Sequence, residues 1–109
     1  MRDDTVRLKD ILNSIEKIEQ QVQKGKDAFL KDELLQTWFV YHIQIIGEAA
    51  RALSEELRNN HSEVPWKDII GMRHFIVHQY TDIDLETVWE VVKKDIPNLK
   101  NKIQRILAD

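Results

Sequence analysis

The segment WFVYHIQIIGEAA, residues 38–50, is apolar on nearly every side of a helix. A helix with that pattern is buried on more than one face. In a short chain the second buried face is expected to meet another subunit. Gly47, Ala49 and Ala50 are small enough for a neighbouring backbone to come close. His42, Gln44 and Glu48 are polar groups set in this belt, and each needs a partner wherever it is buried.

Outward from this segment the chain is helical in both directions. Upstream, Leu8, Ile11, Ile15, Ile18 and Val22 recur at spacings of three and four with charge between them, which predicts one amphipathic helix. Gly25 is placed to close it, because glycine tolerates positive φ. GKDAFLKD, residues 25–32, is expected to be a short connection, with Asp27 or Asp32 as an N-cap. The second helix is predicted from about Asp32 to Asn60. NNHSEVPW, residues 59–66, breaks the pattern, since Pro65 disfavours helix at Val64 and suits an early position in the next one.

A short third helix is predicted over about Trp66 to Val77, followed by a polar connection, QYTDID (residues 79–84). Asp84 is the expected N-cap of the last helix. There Leu85, Val88, Trp89, Val92, Ile96, Leu99, Ile103 and Ile106 keep the rhythm. It runs through Pro97 in phase, which favours one kinked or slightly interrupted helix over two independent ones. No strand-like alternation, repeat or low-complexity stretch stands out. The expected fold is all-α, a bundle of three long helices and a short one.

With 109 residues there is room for one core and one domain, residues 1–109. The absence of cysteine excludes disulfides and thiolate metal sites and suits a reducing cytoplasm. MRDDTVRLKD lacks the apolar stretch of a signal peptide, and no run is long enough to cross a bilayer. The chain is therefore expected to be soluble and cytoplasmic, without a membrane partner. A net charge of −3 does not advertise nucleic-acid binding. Lys93, Lys94, Lys100, Lys102 and Arg105 nevertheless make a local basic surface conceivable on the last helix, although a solvated helix face explains them as well.

The chemistry-bearing residues gather in GMRHFIVHQY, residues 71–80. On a continuous helix His74 and His78 fall nearly in line, whereas Arg73 and His78 lie about 140° apart. Joint action of Arg73 and His78 thus requires that the helix end around Val77, that long side chains meet over its last turn, or that two chains share a cleft. A packing role is the plainer alternative: Phe75, Ile76 and Val77 are core formers, and Arg73 could pair with Glu48 or Asp84. A zinc site on His74 and His78 is poorly supported, because HFIVH lacks the glutamate of HExxH and a third ligand from His61, His42 or a carboxylate has no diagnostic spacing.

A phosphodiester site suits the residue types better. RNA cleavage without a metal needs a group to take the 2′-hydroxyl proton, and imidazole titrates near neutrality. It also needs a cation that forks onto phosphate oxygens, as guanidinium does. Tyr80 could hydrogen-bond a phosphate or stack on a base.

RHFIVHQY matches the R-x4-H-x-Y motif, and its context, IIGEAARALSEEL, VPWKDIIGMRH and DIDLETVWEVVKKDIPNLKNKI, resembles the HepT-like HEPN ribonuclease toxins over nearly the whole chain. The toxins of HepT/MntA toxin–antitoxin modules are of this type. The resemblance implies a HEPN-like bundle of four to five helices, a homodimer, and a metal-independent endoribonuclease that needs no cofactor. It implies catalytic roles for Arg73 and His78 near the dimer interface, with the two motifs facing one cleft and RNA as substrate. The residue after the arginine is commonly Asn in such proteins; here His74 takes that auxiliary place. The resemblance further implies a cognate nucleotidyltransferase antitoxin, MntA-like, that transfers AMP from ATP to Tyr80. The alternative from another class is a non-catalytic nucleotide- or RNA-binding helical module paired with a nucleotidyltransferase.

Overall fold

Three aromatic rings from distant parts of the chain meet at the centre of the molecule. The Phe29 ring lies 5.5 Å from Phe39 and 5.5 Å from Trp89, each pair tilted by 32°. The computed structural model describes residues 3–79 and 82–108, without the side chains of Phe75, Val77, His78 and Gln79. Around this aromatic knot the described residues form an all-α fold.

Helix α1 spans Asp4–Val22 and starts where the Asp3 carboxylate accepts a hydrogen bond from the Val6 N–H at 2.9 Å. Its predicted stripe is the buried one: Leu8, Ile11, Ile15 and Ile18 are in the core. Gly25 takes φ +90°, a conformation that side chains with a Cβ rarely adopt, and turns the chain after α1. The expected connection then winds into a short helix, α2 (Lys26–Lys31), which delivers Phe29 to the core. Asp32 caps α3 (Glu33–Ala52) by accepting from the Leu34 and Leu35 N–H groups. Phe39, Ile43, Ile46 and Ala50 on α3 are buried.

The helix expected to run unbroken to Asn60 stops earlier. Leu53 turns extended, with ψ 150°, and Ser54 starts a separate helix, α4 (Glu55–Asn60), by accepting from the Leu57 N–H. The break is held from a distance, because the Asp4 carboxylate accepts from both the backbone N–H and the hydroxyl of Ser54. The break also turns the buried Leu53 into the core.

Helix α5 (Trp66–Ile76) crosses α3 at Gly47. A Cβ there would lie 3.3 Å from the Ile69 carbonyl oxygen and 3.4 Å from that of Ile70, tighter than most Cβ contacts, so glycine eases the close approach of the two backbones. After α5 comes a short antiparallel ribbon, β1 (Val77–Gln79) with β2 (Asp82–Ile83), where a polar connection was expected. The Asp84 N–H donates to the Ile76 carbonyl at 2.7 Å, tying the far end of the ribbon to the last residue of α5.

Asp84 caps α6 (Leu85–Glu90) through the Thr87 N–H, as predicted. The chain then passes through a π-helical turn, Val91–Asp95, into α7 (Ile96–Ala108). The wider turn lets the Ile96 N–H bond to the Val91 carbonyl just before Pro97, whose ring would clash with an ordinary α-helical carbonyl four residues back. Val88, Val92, Ile96, Leu99, Ile103 and Ile106 stay on one buried stripe throughout. Lys100 and Glu19, 2.8 Å apart, link α7 to α1, and Lys26 and Glu86, 2.9 Å apart, link α2 to α6. Among the described residues no helix is long and apolar enough to cross a membrane.

Candidate active site

The C-terminal turn of α5 carries Arg73 and His74, both exposed. Helix geometry ends with Ile76, and the backbone of His78 belongs to strand β1. The helical phase that would set Arg73 and His78 about 140° apart therefore does not extend to residue 78. Of the three arrangements that joint action allows, the first, an early helix end, is met by the backbone. The side chain of His78 and the whole of Tyr80 lie outside the described residues.

Arg73 and His74 line a groove of about 280 Å³ between α3 and α5. Gln44, Gly47, Glu48 and Arg51 supply its other wall. Gly47 makes the groove narrow at its base, since the α5 backbone rests where a side chain would otherwise stand. Glu48 is exposed at the rim and accepts from the Gln44 amide at 3.2 Å. Among the described residues Arg73 has no ion pair, so neither pairing that a packing role could use, with Glu48 or with Asp84, is made. Asp84 instead caps α6. An exposed guanidinium without a carboxylate partner, beside a groove, keeps its donors available for an anion.

The other two histidines are engaged elsewhere. His61 lies 3.4 Å from Glu63, in the loop before α5. His42 is buried and its Nδ1 lies 3.1 Å from the hydroxyl of Ser14, itself buried. Its ring packs edge-on against Trp38 and Tyr41, and Nε2 is buried without a hydrogen-bond partner. Burial, and secondarily the Lys17 charge, lower the His42 pKa and hold the ring neutral. This is the partner that a polar group in the apolar belt requires, and Ser14 was invisible as that partner because the two lie 28 residues apart. Among the described residues no group of three or more His, Asp or Glu side chains is arranged to hold a metal ion.

A family model, Ribonuclease HepT-like, matches residues 11–106. The chain belongs to the HepT-like ribonuclease family. It is 34% identical to "Probable ribonuclease HepT" of Thermococcus cleftensis over 91% of this chain and 91% of that protein. It is 42% identical to "Putative RNase TTE0752" of Caldanaerobacter subterraneus over 74% of this chain and 72% of that protein. A longer relative in Methanocaldococcus jannaschii, "Gamma-glutamylcyclotransferase and putative RNase MJ0434", is 40% identical over 99% of this chain, which spans 49% of its length. No solved structure gives a significant match. Arg51 and Gln44 belong to the groove although the motif did not single them out; only the packing of α3 on α5 brings them beside Arg73.

Proposed function

We propose that this HepT-like chain, residues 1–109 acting as one HEPN-like domain, is a metal-independent endoribonuclease and the toxin of a HEPN/nucleotidyltransferase toxin–antitoxin pair. The observation that carries the proposal is the end of α5 at Ile76, which moves residue 78 out of helical phase, beside an exposed Arg73 that lines a groove and has no ion pair among the described residues. The ribonuclease names of the relatives supply the substrate class.

In this mechanism the imidazole of His78 takes the proton of a ribose 2′-hydroxyl. The 2′-oxygen forms a bond to the adjacent phosphorus while the bond from phosphorus to the 5′-oxygen breaks. That oxygen leaves as a hydroxyl after receiving a proton from water, the hydroxide so formed takes the proton held by the His78 imidazolium, and a 2′,3′-cyclic phosphate remains on the other fragment. Arg73 donates to the phosphorane oxygens as their charge grows. His74 is the auxiliary polar residue of the motif. A homodimer brings two such motifs to one cleft, and the apolar segment 38–50 is consistent with subunit contact.

Control is exerted by a cognate MntA-like nucleotidyltransferase. The phenolic oxygen of Tyr80 attacks the α-phosphorus of ATP, pyrophosphate leaves, and AMP stays on the tyrosine. A phosphate planted near Arg73 and His78 blocks RNA by occupancy and by repulsion.

The test is cleavage of RNA by purified protein whose Tyr80 is shown by intact mass to carry no adduct. Arg73→Ala is expected to lower the rate by about 10²–10³-fold and His78→Ala by about 10²–10⁴-fold, with unchanged thermal unfolding. Cleavage undiminished in both variants overturns the assignment. The net charge of −3 favours one second reading, a non-catalytic RNA- or nucleotide-binding module. RNA binding with no cleavage by the unmodified protein would establish that reading in its place.

A further inference from the structure

The candidate groove does not end at Arg51. Ile70 lines it and also lines a second, shallower groove of about 540 Å³ between α4 and the start of α5. Lys67, Ile70 and His74 follow one another at spacings of three and four on α5, so a single helix face borders both grooves over about 10 Å. The cations along this path are Arg73 and Arg51 in the first groove and Lys67 and Arg58 in the second. The carboxylates on the same walls are Glu48 and Glu55. None of the four cations has an ion pair among the described residues, so no carboxylate competes for their donors there. Arg58 is half-buried, and its Nε is enclosed without a hydrogen-bond partner. Its stem is therefore held in the wall of the groove, which presents the guanidinium at low conformational cost.

From this continuous, cation-lined path on a chain of net charge −3 we infer that Lys67 and Arg58 form a phosphate track. It would hold the sugar–phosphate backbone of single-stranded RNA as it leaves the Arg73 groove. The track lies on α4 and α5; of the C-terminal lysines that sequence alone singles out as a basic surface, Lys102 reaches its edge and donates to the Glu63 carbonyl at 3.2 Å. It deepens the ribonuclease proposal and rests on it. Its contacts are to phosphates, so it contributes affinity and register without reading base identity.

The experiment measures binding of a fluorescent single-stranded RNA whose 2′-hydroxyls are methylated, so that cleavage cannot occur. The association constant is followed from 50 to 200 mM salt. Each phosphate contact to a single strand contributes about 0.7 to the slope of log K against log salt, a factor of about 2.6 over this fourfold range. K67Q is expected to flatten the slope by about 0.7 and R58Q/K67Q by about 1.4, equally for RNAs of different sequence. K93Q, a cation on the far π-helical turn, is expected to leave the slope unchanged. K67E, a reversal at an exposed position that does not threaten the core, is expected to weaken binding further. Slopes unchanged in K67Q and in the double variant overturn the track, as does an equal loss in K93Q. If the track fails while Arg73→Ala still abolishes cleavage, the ribonuclease proposal stands; if wild-type protein neither binds nor cleaves RNA, both fall.

Discussion

The Asp4 carboxylate receives the Ser54 hydroxyl at 2.6 Å and the Ser54 backbone N–H at 2.9 Å, so the first residue of α1 holds the N-cap of α4. These bonds, the hydroxyl foremost, hold the Asp4 carboxyl below its ordinary value of 3.8. Ser54→Ala removes both the cap to Leu57 and half of the clasp, and is expected to cost about 1–2 kcal/mol of stability. Asp4→Asn is expected to destabilise the protein near neutral pH and to lose that effect in acid. The sign follows from the lowered pKa: the clasp contributes fully above the unfolded value and fades as pH falls through the folded one. Denaturant unfolding of both variants at pH 7 and pH 3 checks this, and an Asp4→Asn deficit unchanged in acid would count against it.

Gly47 sets the distance between α3 and α5. In Gly47→Ala the new methyl meets a backbone carbonyl, which cannot swing aside as a side chain can. The gain in helix propensity is about 1 kcal/mol, against an overpacking cost of about 1–3 kcal/mol. A lower melting temperature is expected, together with weaker RNA cleavage, because the same contact shapes the groove beside Arg73. A variant as stable and as active as wild type would show that the helices separate at no cost.

His42 ties stability to pH with the same sign but in a higher range. Its lowered pKa means that the unfolded chain binds the proton more readily. Stability contributed by the neutral ring is full above the ordinary histidine value of 6.5 and is lost as pH falls through the folded one. The difference in melting temperature between wild type and His42→Gln is expected to shrink from pH 8 to pH 5. A difference that grows on acidification contradicts a buried neutral imidazole.

Tyr80 is the proposed acceptor of AMP. Incubation with the partner nucleotidyltransferase and ATP is expected to add one AMP to wild type and none to Tyr80→Phe, read by intact mass. Modified wild type is expected to lose RNA cleavage. An adduct of undiminished yield on Tyr80→Phe assigns the modification to another residue.

Much of the fold lies open in the residue order because helices in a small core announce themselves locally. The stripes of α1 and of the last helical stretch, the caps Asp32 and Asp84, and the turn at Gly25 each depend on neighbours within one or two turns. The same is true of the R-x4-H-x-Y motif and of the family it marks. Local pattern also limits what can be seen. Leu53 and Ser54 read as helix because Ala52 and Glu55 flank them; the break rests on the Ser54 cap to Leu57, on the burial of Leu53 and on the clasp from Asp4, which no local pattern reveals. Ser14 looks like any surface serine until α3 lays His42 over it.

The site divides along the same line. Which guanidinium stands near the end of α5 follows from chain order, because Pro65 marks the start of that helix without outside help. Tertiary packing alone brings Gln44 and Arg51 to face Arg73, through a glycine that lets two helices touch. It also runs Lys67 and Arg58 onto the same path. Charge along a sequence is a one-dimensional sum, and the field that an RNA phosphate meets depends on which charges fold into reach of one another.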